Sequence, residues 1–136
     1  MSAVLISACL LGVCCRYDGK SKPCSRAAEA AGGGVLIPIC PEQLGGLPTP
    51  RTAAYITEGD DGFSVLAGSG RVKTLDGDDV TEHFKAGARQ AVKIAEITGA
   101  KRAILKSKSP SCGVSGCTGV AAAALILEGI DVEELG

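Results

Sequence analysis

The chain has 136 residues, enough for one domain, read here as residues 1–136, that buries a core without staples. Its 14 Lys and Arg offset 15 Asp and Glu, and no five like charges occur in a row. That balance argues against a basic surface tracking nucleic-acid phosphates. Trp is absent and only Tyr17, Tyr55, Phe63 and Phe84 are aromatic, which also argues against a single-strand stacking platform.

In chain order, Val4–Ser7 reads as a buried strand that runs into a loop. Ser25 is placed to cap a short helix through Ala31, which Gly32-Gly33-Gly34 stops. Val35–Ile39 reads as a second buried strand, with Pro38 tolerable only near its end. The Pro- and Gly-rich segment Pro41–Pro50 is expected to be loop, and residues 55–75 an irregular β-excursion. Asp79 or Thr81 starts a helix whose face is Phe84, Ala88, Ala91, Val92 and Ala95, ending at Gly99. Ala103-Ile104-Leu105 is a third strand, followed by a polar loop over Lys106–Gly116. Gly119–Glu128 is an apolar helix and Ile130–Val132 a last strand. Such alternation specifies an α/β fold: a small parallel sheet of about four strands, covered by helices on both faces in a Rossmann-like three-layer arrangement. No stretch reaches the ~18 apolar residues of a membrane span.

Seven cysteines stand out: Cys9, Cys14, Cys15, Cys24, Cys40, Cys112 and Cys117. Their odd number does not suit a closed disulfide framework. Ile6-Ser7-Ala8-Cys9 looks superficially like a lipoprotein cleavage site, but no Lys or Arg precedes it and the apolar run is short. The expected location is therefore the cytoplasm, where thiols stay reduced and serve metals or catalysis. Cys9, Cys40 and Cys112 each follow a strand. In a parallel sheet those strand ends share one edge, where a doubly wound fold opens its crevice. Three converging thiolates suit zinc or an iron–sulfur cluster. The same three residues also suit plain burial at strand ends, because free cysteine is among the most buried residue types.

Other residues near that edge carry their own chemistry. Glu42, two positions after Cys40, is placed to exchange a proton with a bound molecule, or simply to be solvated. Ser109-Pro110-Ser111-Cys112-Gly113 offers hydroxyls and backbone N–H groups to an anion or a polar ring edge, and it is also a turn sequence. Arg16, Arg51, Lys106 and Lys108 add positive charge. His83, the only histidine, is expected at the surface. Gly32-Gly33-Gly34 precedes a strand rather than a helix, so it is not a dinucleotide fingerprint.

Several of these segments together resemble one family. They are Ile6–Gly12, Cys15-Arg16-Tyr17-Asp18-Gly19, Cys40–Pro48, Asp79-Val80-Thr81, Leu105-Lys106 and Ser109–Gly113, and they span nearly the whole chain. They are similar to the thiouracil desulfidase family. The resemblance implies a [4Fe–4S] cluster held by Cys9, Cys40 and Cys112, with one iron open to a substrate sulfur. It also implies Glu42 and Ser109 as catalytic residues, and a small thiolated heterocycle whose C=S becomes C=O without net redox change. No nucleic-acid polymer and no membrane is expected as a partner. The segment Val114–Thr118 is shorter than in many members and carries the additional thiol Cys117. Two rival readings accompany this one. In the first, Cys117 or Cys15 completes a four-cysteine, non-catalytic metal site. In the second, Cys14, Cys15 and Cys24 form a thiol redox device.

Overall fold

The computed structural model describes residues 2–136. Four strands form one parallel sheet: β1 (Ala3–Ser7), β2 (Val35–Ile39), β5 (Arg102–Lys106) and β6 (Asp131–Leu135), in the order β2-β1-β5-β6. Alternate side chains of the strands face opposite sides, as the pleat requires. Leu5, Ala103 and Leu105 point into one core with Ala91, Ala95, Ala122 and Leu125. Those partners come from helices α4 (Thr81–Thr98) and α5 (Val120–Leu127). Val4, Ile6 and Ile104 point into the opposite core. That face is covered mostly by irregular chain after β1 and by the single turn of α1 (Ala27–Ala30). The sheet thus has both faces covered, one by the 18-residue α4 and the eight-residue α5 and the other by little regular structure.

Helix α1 opens after Arg26 with no side-chain cap, so Ser25 does not cap it, and three further segments depart from the sequence expectation. β2 is an edge strand rather than a buried one: Val35 and Pro38 are exposed and only Ile39 is fully buried. An edge position tolerates the proline that a central strand would reject. Pro41–Leu44, expected as loop, is the one-turn helix α2, with Pro41 at its first position, where proline is pre-organised for a helix. Tertiary packing holds it against α4. A Cβ on Gly87 would fall 1.9 Å from the Pro41 carbonyl oxygen, and one on Gly45 would fall 2.0 Å from that of His83.

The third departure lies in residues 55–75. Strands β3 (Ala54–Ile56) and β4 (Val72–Thr74) pair antiparallel, and between them runs helix α3 (Gly62–Ala67). The helix starts on a reciprocal cap. The Asp61 side chain accepts the Ser64 N–H at 3.0 Å, and the Ser64 hydroxyl oxygen accepts the Asp61 N–H at 2.8 Å. This excursion packs Val65 and Val72 onto Phe84, Ala88, Val120 and Ala121, so α4 and α5 are covered on their outer side as well. His83 is exposed as expected, and its Nδ1 lies 2.8 Å from the Gly45 carbonyl oxygen. Among the described residues, no helix is long and apolar enough to cross a membrane.

Candidate metal centre

The carboxyl ends of β1, β2 and β5 open into a cavity of about 400 Å³. The chain runs from β1 outward to β2, then returns past β1 to β5, so the cavity sits where the winding reverses. Cys9, Cys40, Glu42, Ser109 and Cys112 all line it, and so do Cys15, Arg51 and Ser111. Cys9 sits in a 3₁₀ turn after β1, Cys40 at the start of α2, and Cys112 in the loop between β5 and α5. That loop is pressed onto the first turn of α5: the Ala122 N–H donates to the Ser111 carbonyl at 3.0 Å. Gly119 allows the approach, since a Cβ there would lie 2.4 Å from the Ser111 carbonyl carbon.

Cys9 and Cys112 are buried and Cys40 is half-buried, and all seven cysteines are free thiols. The fourth thiol in the cavity is Cys15, only 2% exposed, which couples electrostatically to Cys9 and Cys40, and the Cys40 thiol donates to the Cys15 carbonyl at 3.7 Å. Cys9 is lowered from its ordinary value, chiefly because the Cys15 hydrogen bond favours its thiolate, against burial and the charges of Cys112 and Cys40. Cys15 is pushed up to about 11: its hydrogen bond with Cys40 pulls it down, but the bond with Cys9 and burial outweigh that. Cys40 is raised by its hydrogen bond with Cys15 and then by burial. Cys112 is pushed up to about 11 by burial foremost, against hydrogen bonds with Ser7 and Ser111.

Soft thiols of this kind fit an iron–sulfur group, which takes cysteine thiolates as ligands. Among the described residues, no three His, Cys, Asp or Glu side chains converge closely enough for a single metal ion. A cubane accepts its thiolates at separate corners, so thiols arriving from three separate strand ends suit it better than one tetrahedral ion. Cys117 stands apart from this group. It is exposed, does not line the cavity, and its thiol donates to the Asp60 carbonyl at 3.4 Å. Glu134 of β6 holds that segment by accepting the N–H groups of Val114 and Ser115. Cys14 is exposed and Cys24 packs against the core beneath α1, so the three thiols of the redox reading do not form one device.

Glu42 is held from both sides. Its Oε1 accepts from Arg51 Nε at 3.0 Å, and its Oε2 accepts from the Ser111 hydroxyl at 3.0 Å. The Ser109 and Ser111 hydroxyl oxygens lie 3.0 Å apart. Ser111 has one hydroxyl proton, and Glu42 Oε2 at 3.0 Å takes it over the more distant Cys112 Sγ at 3.6 Å, so Ser109 is the donor in its contact with Ser111. The Ser109 oxygen also accepts the N–H groups of Ser111 and Cys112, at 3.2 and 3.1 Å, and so shapes the loop that carries Cys112. The residue before this loop, Lys108, adopts a φ of 60°, a left-handed conformation unusual outside glycine. The sequence offered Ser111 as a loop hydroxyl for an anion or a ring edge and Arg51 as a positive charge, neither as a partner of Glu42. Their contacts with Glu42 span 69 and nine positions, distances over which no local pattern operates.

Fold and site together define an α/β protein with a cysteine-lined centre at the switch point of its sheet, a carboxylate fixed beside it. Comparison with known proteins narrows this class. The model of the 2-thiouracil desulfurase family matches residues 4–134, and the chain belongs to that family. The protein YbbK of Bacillus subtilis (strain 168), itself uncharacterized, is 39% identical over 110 residues, covering 81% of this chain and 72% of YbbK. The solved structure of the [4Fe-4S]-dependent thiouracil desulfidase TudS matches with a TM-score of 0.81 at 36% identity, over 98% of this chain and 91% of TudS.

Proposed function

We propose that the protein is an iron–sulfur-dependent desulfidase that replaces the thiocarbonyl of a thiouracil-type base by a carbonyl. The observation that carries this reading is the meeting of Cys9, Cys40 and Cys112 with Glu42 in one cavity at three strand ends. Cys9, Cys40 and Cys112 would hold a [4Fe–4S] cluster. When bound, such a cluster supplies an iron without a protein ligand, a Lewis acid suited to a thiocarbonyl sulfur.

The chain's own residues supply position and proton transfer. The reaction balances as addition of water and loss of hydrogen sulfide, with no net electron transfer. Glu42 is the group that holds and moves the proton, because it is the carboxylate lining the cavity and both its oxygens are fixed. Ser111 aims Oε2. Ser109 lines the cavity and, through Ser111, ties the loop that carries Cys112 to the carboxylate. The two prolines flanking this region, Pro41 and Pro110, also line the cavity and restrict the walls on which Glu42 and Ser111 stand. The free thiols throughout the chain fit a reducing, cytoplasmic setting.

Anaerobic reconstitution with iron and sulfide, followed by incubation with 2-thiouracil, tests the reading. The expected result is a brown protein that releases sulfide and uracil in equal amounts. A reconstituted protein with a full cluster that leaves thiouracil intact overturns it. A second reading, a closed four-thiolate centre, draws on the burial of Cys15 against Cys9 and Cys40. It requires Cys15→Ser to lose the cluster, whereas the desulfidase reading requires that variant to keep it.

A further inference from the structure

Arg51 is only 6% exposed at its side chain, although it lies in the irregular segment between α2 and β3. A buried guanidinium in a loop needs a reason, because desolvating it is costly unless its donors are satisfied. Here they are. Nε donates to Glu42 Oε1 at 3.0 Å, and Nη1 donates to the Pro48 carbonyl at 3.1 Å and the Thr49 hydroxyl at 2.9 Å. Nη2 donates to the Cys15 carbonyl at 3.0 Å. The Arg51 backbone N–H adds a bond to the Tyr17 carbonyl at 2.8 Å. One residue therefore ties the carboxylate at the start of α2 to the loop that carries Cys15 and Tyr17.

We propose that Arg51 is the positioning residue of this centre, fixing Glu42 at one end of its guanidinium and the Cys15 loop at the other. The inference rests on the function proposed above for its catalytic half and on geometry alone for its structural half. The planar fork matters. Nε and Nη2 reach two partners in different directions at once, which a lysine ammonium on a flexible stem does not reproduce. Ser111 holds the other oxygen of Glu42, so without Arg51 the carboxylate is left pivoting on a single hydrogen bond. A loosened Glu42 loses its alignment on the reacting atoms, and a misplacement near 1 Å costs about ten- to hundredfold in rate.

The test uses Arg51→Gln, Arg51→Lys and each combined with Glu42→Gln. In the reconstituted protein, Arg51→Gln is expected to lower kcat on 2-thiouracil by at least about tenfold with KM little changed. Arg51→Lys, which keeps a charge opposite Glu42, should recover part of that loss. In the Glu42→Gln background, Arg51→Gln should cost nothing more, because its effect runs through Glu42. A separate arm needs no turnover. In the folded, cluster-free protein, iodoacetamide should alkylate Cys15 at least about tenfold faster in both Arg51 variants, because opening of a loop is what exposes a buried thiol. Peptide mass spectrometry reads that rate, and matching urea midpoints confirm that the variants are folded. If Arg51→Gln fails to fold, the Lys variant carries both arms.

Wild-type kcat in Arg51→Gln, or a full further loss in the Glu42→Gln background, overturns the catalytic half. Unchanged Cys15 alkylation overturns the structural half. An inactive wild type, fully loaded, would count instead against the proposed function, and the alkylation arm would still decide whether Arg51 holds the loop.

Discussion

Placing a methyl group at Gly87 tests how closely the site depends on helix packing far from its chemistry. Gly87 lies in α4, and the Cβ of an alanine there would stand 1.9 Å from the Pro41 carbonyl oxygen and 2.9 Å from its carbon. Ordinary contact begins near 3.4 Å, so α2 must retreat by about 1.5 Å. Both colliding groups are backbone, so no rotamer change relieves them. Overpacking of this kind costs ~1–3 kcal/mol. Alanine also raises helix propensity over glycine by ~0.8–1 kcal/mol, so the net loss of stability should be roughly 0–2 kcal/mol. Activity should suffer more. Glu42 is the next residue after Pro41 and moves with it, and a displacement near 1 Å costs on the order of a hundredfold in rate. Gly87→Ala is therefore expected to unfold in urea close to wild type while losing about a hundredfold in kcat/KM on 2-thiouracil. Gln90→Ala, on the exposed side of the same helix, is the control and should affect neither. Wild-type turnover in Gly87→Ala would show that α2 is not held where the glycine contact places it, and would refute the reasoning.

Three further outcomes are expected. Glu42→Gln keeps the shape but cannot carry the proton, so cluster absorption should persist while sulfide release falls at least about a hundredfold; full activity would exclude Glu42 as the proton carrier. Cys112→Ser should fail to retain iron, whereas Cys117→Ser should match wild type in iron content and turnover, since Cys117 faces the Asp60 carbonyl outside the cavity. Asp79 is lowered from 3.8 to about 2, chiefly by hydrogen bonding to Thr81, with Arg71 adding to it. A carboxyl lowered on folding contributes stability above its unfolded pKa and loses it as pH falls through the folded one. Urea midpoints of the wild type should thus fall more steeply from pH 4 toward pH 2 than those of Asp79→Asn, which keeps an oxygen to accept the Thr81 N–H; parallel curves would show that the charge contributes nothing.

What the sequence revealed follows from the range of the forces involved. The strands and α4 announce themselves through local apolar patterns, and parallel topology alone brings Cys9, Cys40 and Cys112 to one edge. Helix α3 also left a local trace, in Asp61 followed three positions later by Ser64, but the glycines around it read as part of an irregular β-excursion. Helix α2 left none. Four residues between a strand and a glycine pair become helical because Gly45 and Gly87 let them press against α4, a contact about 40 positions long in sequence. The contacts of Cys15 and Ser111 with the other site residues escaped for the same reason. A vicinal cysteine and a serine in a turn become part of the site only once the loops fold over the strand ends.

The distribution of the thiols says how such a centre is assembled. A zinc finger gathers closely spaced cysteines and remains unfolded until the metal arrives. Here the thiols sit far apart in sequence, and the elements between them have their own reasons to fold: registered pairs such as Ser7 with Ile39 and Val4 with Arg102 fix the strand ends, and α4 and α5 bury one face of the sheet. The cavity is thus shaped by the sheet and its helices rather than by whatever it holds. Preorganisation has an electrostatic cost, visible in the raised thiols of Cys15, Cys40 and Cys112, which keep their protons while the site is formed only by protein. Cys9 alone of the four is lowered, chiefly by its hydrogen bond with Cys15, with Lys106 adding a smaller favourable charge. Ligation at Cys40 and Cys112 would therefore require their thiols to give up protons as they bind. A scaffold of this kind leaves the carboxylate free for chemistry, because Glu42 is held by Arg51 and Ser111 and not by the thiols.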